Sequence, residues 1–174
     1  QSGSSRVHYV WHGGEPLLAG RDYYRFTTLL QQIHRRDSTQ EIYNSIQTSG
    51  PLLDERTARL LLQNDFSIGI SYDSNSPDQL PSRPFLSGRA TEPIVRKRIA
   101  WIKSHLGSVG VLCVVTRENI DDASQILSRL SDLGVNGVSF LPFKKNPYAP
   151  DLSVTSEQWA TFLIEAFELW IEND

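Results

Sequence analysis

Strand-like and helix-like segments alternate five times along the chain, and this order limits the possible folds more than any other feature. Apolar and polar residues alternate with a period of two in the first kind of segment, and apolar residues recur every three or four positions in the second. Short polar links join them, as in repeated units of strand, crossover helix and parallel strand. The predicted strands are Arg6 to Trp11, Glu41 to Thr48, Phe66 to Asp73, Val109 to Thr116 and Asn136 to Leu141. The predicted helices are Asp22 to Arg36, Asp54 to Asn64, Glu92 to His105, Asp121 to Leu133 and Ser156 to about Glu172.

The faces of two neighbouring strands predict an open barrel. In the third strand Phe66, Ile68, Ile70 and Tyr72 share one side, while the other side is small and polar. The second strand alternates in the same way. A closed eight-stranded barrel fills its interior with bulky branched side chains. We therefore expect the α/β class, with residues 1–5 as a flexible tail and residues 6–174 as a partial, splayed β/α barrel of about five parallel strands with flanking helices.

The ends of two helices carry recognisable capping residues. Thr155 and Gln158 have the spacing of a capping box, which predicts the start of the last helix. Asn119 is predicted to cap the fourth helix and Gly134 to end it in the left-handed conformation. In the last helix six apolar residues fall at helical spacing and predict one wide apolar face: Trp159, Phe162, Leu163, Ala166, Phe167 and Trp170.

Charge and hydropathy exclude several classes of partner. The formal net charge is −3, whereas a protein that binds nucleic acid or anionic membranes is expected to have a basic surface. No apolar run approaches the roughly 20 residues that a membrane span requires. The chain shows no secretory signal, and its one cysteine, Cys113, cannot form an internal disulfide, so we expect a cytoplasmic protein. Because the opening residues are small and polar and include no methionine, we expect a fragment or a processed chain.

Polar and glycine-rich residues follow the strands, where the sites of parallel α/β proteins lie. The sharpest signal is Gly13-Gly14-Glu15-Pro16, after the first strand. The glycines let the backbone approach a ligand, the carboxylate attracts a cationic group, and the proline fixes the chain direction. A plain strand-to-helix turn explains the same residues equally well.

Five segments together extend the interpretation: YVWHGGEPLLAG, IQTSGPLL, SIGISYDS, GVLCVVTREN and VSFLPF. In order and spacing they resemble the core of radical S-adenosylmethionine enzymes, especially the sulfatase-maturating and SPASM-type peptide-modifying branch. The resemblance runs from about Val7 to Phe143. It implies a parent enzyme that cleaves S-adenosylmethionine at a [4Fe-4S] cluster, forming a 5′-deoxyadenosyl radical that modifies a peptide or protein side chain.

The resemblance also implies a set of cofactor-binding residues. The segment Gly13, Gly14, Glu15 and Pro16 corresponds to the one that binds the amino group of the methionine moiety. Gln47 lines the cofactor site, and Ser71 and Arg83 engage the carboxylate and ribose of the cofactor. Asp73 either binds ribose or caps a turn. Gln47 and Ser71 could instead only satisfy backbone groups, and Arg83 could be a solvated loop residue.

The chain departs from the family pattern in its metal ligands. It has no CxxxCxxC loop, and Cys113, in the middle of a strand, is interpreted as a small buried hydrophobic residue. No metal ligand is therefore assigned, no catalytic residue is identified, and the chain alone is expected to be inactive. The third strand ends in SYDS instead of SxDG, and Leu80-Pro81-Ser82 replaces the expected His-Asp pair.

Two other functions stay open. One is a degenerate, non-catalytic barrel that binds a peptide or partner protein. The other is a half-barrel enzyme that uses Glu15 and Asp73 as an acid and base pair. In each case the first and fifth strands are predicted to be sheet edges, and we expect a second copy, a partner chain or a further segment of the protein to cover at least one of them.

Overall fold

The structure is a computed structural model that describes residues 5–35, 39–73, 87–107, 109–144, 147 and 149–173. Its strands are β1 (Arg6–Trp11), β2 (Glu41–Thr48), β3 (Phe66–Ser71), β4 (Gly110–Val115) and β5 (Gly137–Pro142). Its helices are α1 (Arg21–His34), α2 (Glu55–Gln63), α3 (Glu92–Leu106), α4 (Ala123–Asp132) and α5 (Ser156–Asn173). The predicted alternation of strand and helix is confirmed, and the chain divides into two compact units, Gln1–Ile70 and Ser71–Asp174.

The first unit is a parallel arrangement of β1, β2 and β3 with α1 and α2. In the register of the strands Trp11 lies opposite Ile46, and Gln47 lies opposite Gly69. The predicted alternation of faces is confirmed in β3, where Phe66, Ile68 and Ile70 are buried. Because neighbouring parallel strands run in the same direction, the turns that follow β1 and β2 both lie at the carboxyl end of the strands.

An aromatic cluster and a satisfied amide fix the interior of this unit. The ring of Tyr24 meets the rings of Trp11 and Phe66 edge-on, with centroids 5.7 and 5.8 Å away. The Trp11 indole donates to the amide oxygen of Asn44 at 2.9 Å, and the Asn44 and Gln31 amides bond to each other in both directions at 3.0 Å. The polar groups of a buried asparagine are thus paired, which avoids the penalty of an unsatisfied amide.

The second unit pairs β4 and β5 in parallel and places three helices around them. The Tyr72 N–H donates to the Leu112 carbonyl at 2.9 Å, which joins the residues after β3 to β4. Phe140 and Phe162 meet edge-to-face at 5.1 Å and connect β5 with α5. Cys113 is fully buried in β4, as expected for a small hydrophobic residue.

Two of the three predicted helix ends are confirmed. Thr155 and Gln158 form a reciprocal capping box, with bonds of 3.1 and 3.2 Å. Gly134 has a φ of +65° and ends α4. The predicted cap by Asn119 is wrong, because its side chain accepts from the Thr116 N–H at 2.8 Å and closes the preceding turn. Helix α4 begins later, after Asp122, which makes no side-chain capping bond.

The wide apolar face predicted for α5 is buried only in part. Phe162 and Ala166 are buried, whereas Phe167 and Trp170 are 56% and 58% exposed. The described neighbours of α5 pack against one side of the helix, so the remaining apolar residues face outward. Among the residues that the structure describes, none of the helices combines the length and apolarity needed to cross a membrane.

Candidate functional site

The turn after β1 depends on two glycines in a row. Gly13 and Gly14 have φ angles of +94° and +55°, a region that side-chain-bearing residues rarely adopt. A Cβ added at either position would meet nothing within 4 Å, so the backbone angle, and not crowding, requires glycine there. Both residues are exposed. The turn therefore presents bare backbone at the carboxyl end of β1.

The carboxylate of Glu15 joins this turn to the one that follows β2. Its Oε1 accepts from the Thr48 hydroxyl at 2.7 Å and from the Leu17 N–H at 3.1 Å. Its Oε2 accepts from the Ser49 N–H at 2.9 Å and from the Ser49 hydroxyl. A single half-buried carboxylate thus receives four hydrogen bonds, three of them from two residues more than thirty positions away.

These bonds keep Glu15 ionised. Burial raises the pKa of its carboxyl, but the hydrogen bonds from Ser49, Thr48 and the Leu17 N–H outweigh burial and hold the pKa below its ordinary value. Hydrogen bonds to the charged form of a carboxyl have this effect because they stabilise the anion. The site consequently carries a fixed negative charge at neutral pH.

Pro16 continues the turn as the first residue of a 3₁₀ turn, Pro16–Ala19. Its missing N–H is no loss there, because the first donors of a helical turn have no partner within it. The Tyr24 hydroxyl of α1 donates to the Pro16 carbonyl at 2.6 Å. Burial raises the pKa of Tyr24 to about 12, with smaller contributions from Tyr23 and Glu15, so the hydroxyl stays a donor.

Gln47 lies on the opposite face of β2 from Thr48. The burial of β2 alternates, with Thr48 fully buried and Gln47 half-buried. The Gln47 side chain lies over Gly69, since a Cβ added to Gly69 would come within 2.3 Å of its Oε1. The glycine thus makes room for the amide. Within the first unit, Gln47 and the Thr48 hydroxyl that holds Glu15 therefore face opposite sides of the sheet.

Ser71 and Asp73 belong to the second unit. Ser71 is buried, and Asp73 is half-buried and accepts from the Val114 N–H at 3.3 Å. Part of the hydrogen-bonding capacity of Asp73 is therefore used on the backbone of β4. Arg83 and the Leu80-Pro81-Ser82 segment lie outside the described residues. That Glu15, Gln47, Ser71 and Arg83 surround one ligand stays a prediction.

Thr48 and Ser49 are site residues that the sequence did not single out. Their only signal was their place in Thr48-Ser49-Gly50, which begins at the last residue of β2 and lies at the same end of the strands as the glycine turn. Polar residues at that position are compatible with many roles. Only the structure shows that both hydroxyls point to the same carboxylate.

The donor chemistry fits one of the two groups that the resemblance implies. The ionised carboxylate of Glu15 suits the ammonium of S-adenosylmethionine, and the Gln47 amide and the Ser71 hydroxyl suit the hydroxyls of its ribose. An iron–sulfur cluster needs several thiolates, and this chain has one cysteine, which is buried. Among the described residues no group of three or more histidine, cysteine or acidic side chains is placed to hold a metal ion. The residues present do not fit the cluster.

The glycine turn and the ionised carboxylate of this α/β protein lie at the carboxyl ends of parallel strands, where α/β proteins bind their ligands. No protein-family model matches the chain. It is 31% identical, over 97% of its own length, to a serine-type anaerobic sulfatase-maturating enzyme of Klebsiella aerogenes. It is 28% identical, over 95% of its length, to a cysteine-type anaerobic sulfatase-maturating enzyme of Clostridium perfringens. The matches cover 42% and 45% of those proteins, so the chain spans less than half the length of these curated relatives.

Solved structures give the same relationship. The chain is similar to native anSMEcpe with bound AdoMet and Cp18Cys peptide, with a TM-score of 0.89 and 25% identity over 99% of this chain and 49% of that one. It is also similar to native anSMEcpe with bound AdoMet, with a TM-score of 0.86 and 26% identity over 99% of this chain and 48% of that one. The predicted fold class, part of a β/α barrel with parallel strands and flanking helices, is confirmed. The predicted resemblance to sulfatase-maturating radical S-adenosylmethionine enzymes is confirmed as well.

Proposed function

We propose that this chain is the S-adenosylmethionine-binding part of a radical S-adenosylmethionine enzyme that modifies a peptide or protein side chain. The observation that carries the proposal is the ionised Glu15 carboxylate, held next to the Gly13-Gly14 turn at the carboxyl end of β1. Support comes from the likeness, over nearly the whole chain, to solved structures that contain AdoMet and a peptide.

The proposal gives each candidate residue a role. Glu15 contributes negative charge for the ammonium of the methionine moiety, and the Gly13-Gly14 turn lets that moiety come close to the backbone. Gln47 and Ser71 supply hydrogen bonds to the ligand, and Asp73 interacts with its ribose. Arg83 is the proposed cation for the ligand carboxylate. The chemistry that bound S-adenosylmethionine supplies in such enzymes is radical formation, and the protein positions it.

The cluster requires thiolates from outside these 174 residues, so no reaction step is assigned to this chain. A cytoplasmic location is part of the proposal, because thiolates remain reduced there. The alternative is a degenerate barrel that binds a peptide or partner protein without catalysis. A partner chain or a further segment covering the outer edges of β1 and β5 fits both functions.

Two measurements test the proposal. Calorimetry of the 174-residue chain with S-adenosylmethionine, and with 5′-deoxy-5′-methylthioadenosine for comparison, should show preference for the ligand that carries the ammonium. Equal binding, or none, would refute the proposed ligand. Anaerobic iron–sulfur reconstitution of a longer polypeptide that contains this chain and upstream cysteines should give 5′-deoxyadenosine. A reconstituted cluster that gives none would favour the non-catalytic alternative.

A further inference from the structure

We propose that Thr48 and Ser49 are positioning residues for the ammonium group of the ligand and that they act through Glu15. This inference rests on the proposed S-adenosylmethionine site. It adds to that site the side chain of the last residue of β2 and that of the first residue after it, neither of which belongs to the glycine turn. Their role follows from the number of acceptor positions of the Glu15 carboxylate that their hydrogen bonds occupy.

The Glu15 carboxylate has no acceptor position left for a new partner. Two carboxylate oxygens offer about four lone-pair sites. Leu17 and Thr48 occupy Oε1, while the N–H and hydroxyl of Ser49 occupy Oε2. A ligand ammonium could gain a direct bond to Glu15 only by displacing one of these donors. The carboxylate therefore acts on the ligand mainly as a negative charge whose place and orientation are already set.

The Thr48 hydroxyl is itself held from both sides. It donates its one proton to Glu15 Oε1 and accepts from the Gly50 N–H at 3.1 Å. Thr48 is 1% exposed, so water cannot readily replace either bond. Gly50 has a φ of +97°, which fixes the turn that brings Ser49 to the carboxylate. The turns that follow β1 and β2 are thus joined by the Thr48 hydroxyl and the Glu15 carboxylate.

A fixed charge makes the affinity for an ammonium depend on these hydroxyls. Preorganised charge is effective because no reorientation is needed when the ligand binds. Without the Thr48 hydroxyl, Oε1 keeps only the Leu17 N–H and the Gly50 N–H loses its side-chain acceptor. The carboxylate can then rotate, and the turn can shift. Ligands that carry the ammonium should be affected, and a nucleoside that lacks it should not.

The test compares four variants of the 174-residue chain. Thr48→Val removes the hydroxyl at nearly constant size, Thr48→Ser retains it, and Ser49→Ala removes one bond to Oε2 but keeps the backbone one. Thr28→Val is the matched control, because Thr28 is a buried threonine of α1 whose hydroxyl donates to the Tyr24 carbonyl at 2.8 Å. For each variant, calorimetry gives Kd for S-adenosylmethionine and for 5′-deoxy-5′-methylthioadenosine, and carboxyl ¹³C NMR follows the titration of Glu15 without ligand.

Thr48→Val and Ser49→Ala should weaken S-adenosylmethionine binding at least fivefold and methylthioadenosine binding less than twofold, while the Glu15 pKa rises. Thr48→Ser should restore both properties, and Thr28→Val should change neither. If Thr48→Val does not fold, Ser49→Ala carries the same comparison. The inference is wrong if both variants bind S-adenosylmethionine within twofold of the wild type, or if both ligands weaken alike. A wild-type chain with no preference for S-adenosylmethionine would instead refute the proposed ligand, and the titration would still decide whether these hydroxyls hold Glu15.

Discussion

Replacing Glu15 by glutamine should destabilise the protein through the hydrogen bonds of one carboxylate. An amide keeps one acceptor oxygen, so two of the four donors lose their acceptor. If that oxygen faces Thr48 and Leu17, the amide N–H₂ faces Ser49. The Ser49 hydroxyl can rotate and accept, but its backbone N–H cannot. At least one donor is then opposed to a donor in a half-buried position.

The expected loss follows from general magnitudes. Hydrogen bonds to charged groups contribute about 1.5–3 kcal/mol, and partial solvent access brings the expected net cost of Glu15→Gln to about 2 kcal/mol. With a urea m-value of about 2 kcal/mol per molar, the midpoint should fall by about 1 M at pH 7. The matched control is Glu55→Gln, which removes an exposed ion pair with Arg59 on α2 and should cost about 0.5 kcal/mol or less.

The pH dependence gives a second check on the same variant. The pKa of Glu15 is lower in the folded state than in the unfolded state. The ionised carboxylate therefore makes its full contribution to the free energy of unfolding above the ordinary carboxyl pKa of about 4.5. The contribution is lost as the pH falls through the folded-state pKa. The difference in urea midpoint between the wild type and Glu15→Gln should therefore be present in full at pH 7 and should shrink below about pH 4. A midpoint that Glu15→Gln leaves unchanged at pH 7 would refute the reasoning.

Three further predictions concern other substitutions. Gly13→Ala should lower the free energy of unfolding in urea by about 1–2 kcal/mol, because the φ of +94° is unfavourable for alanine. The added methyl meets nothing within 4 Å, so no steric clash adds to this cost. An unchanged urea midpoint would contradict this prediction. Gly69→Ala should displace the Gln47 side chain, whose Oε1 would lie 2.3 Å from the new Cβ, so an unshifted Gln47 side-chain amide resonance would disprove the placement. Phe162→Ala should cost about 3–4 kcal/mol, whereas exposed Phe167→Ala should cost under about 0.5 kcal/mol, and similar losses would count against the assigned burial.

The sequence predicted the elements well because their signals are local. Hydrophobic periodicity placed all five strands and all five helices within a few residues of their observed bounds. The capping box at Thr155 and the end of α4 at Gly134 followed from residue types and spacing alone. Asn119 misled the prediction because an asparagine before a helix can cap it or close the preceding turn, and the two patterns use the same residues.

The candidate site was harder to predict because its decisive contacts join distant parts of the chain. Sequence reasoning predicted that Glu15 contacts a ligand, but nothing in the spacing shows that Thr48 and Ser49, 33 and 34 residues away, bind its carboxylate. The same limit applies to α5. Periodicity shows that Phe167 and Trp170 share the apolar side of the helix, but burial depends on how far the neighbours of the helix extend.

The aromatic cluster at the end of β1 has a practical consequence. Of the four tryptophans in the sequence, Trp11 alone lies in the first unit. It sits two residues before Gly13 and against Tyr24, whose hydroxyl holds the Pro16 carbonyl. With the other three indoles replaced by phenylalanine, fluorescence emission would report optically on the glycine turn. Binding of the proposed ligand could then be followed in real time without a label.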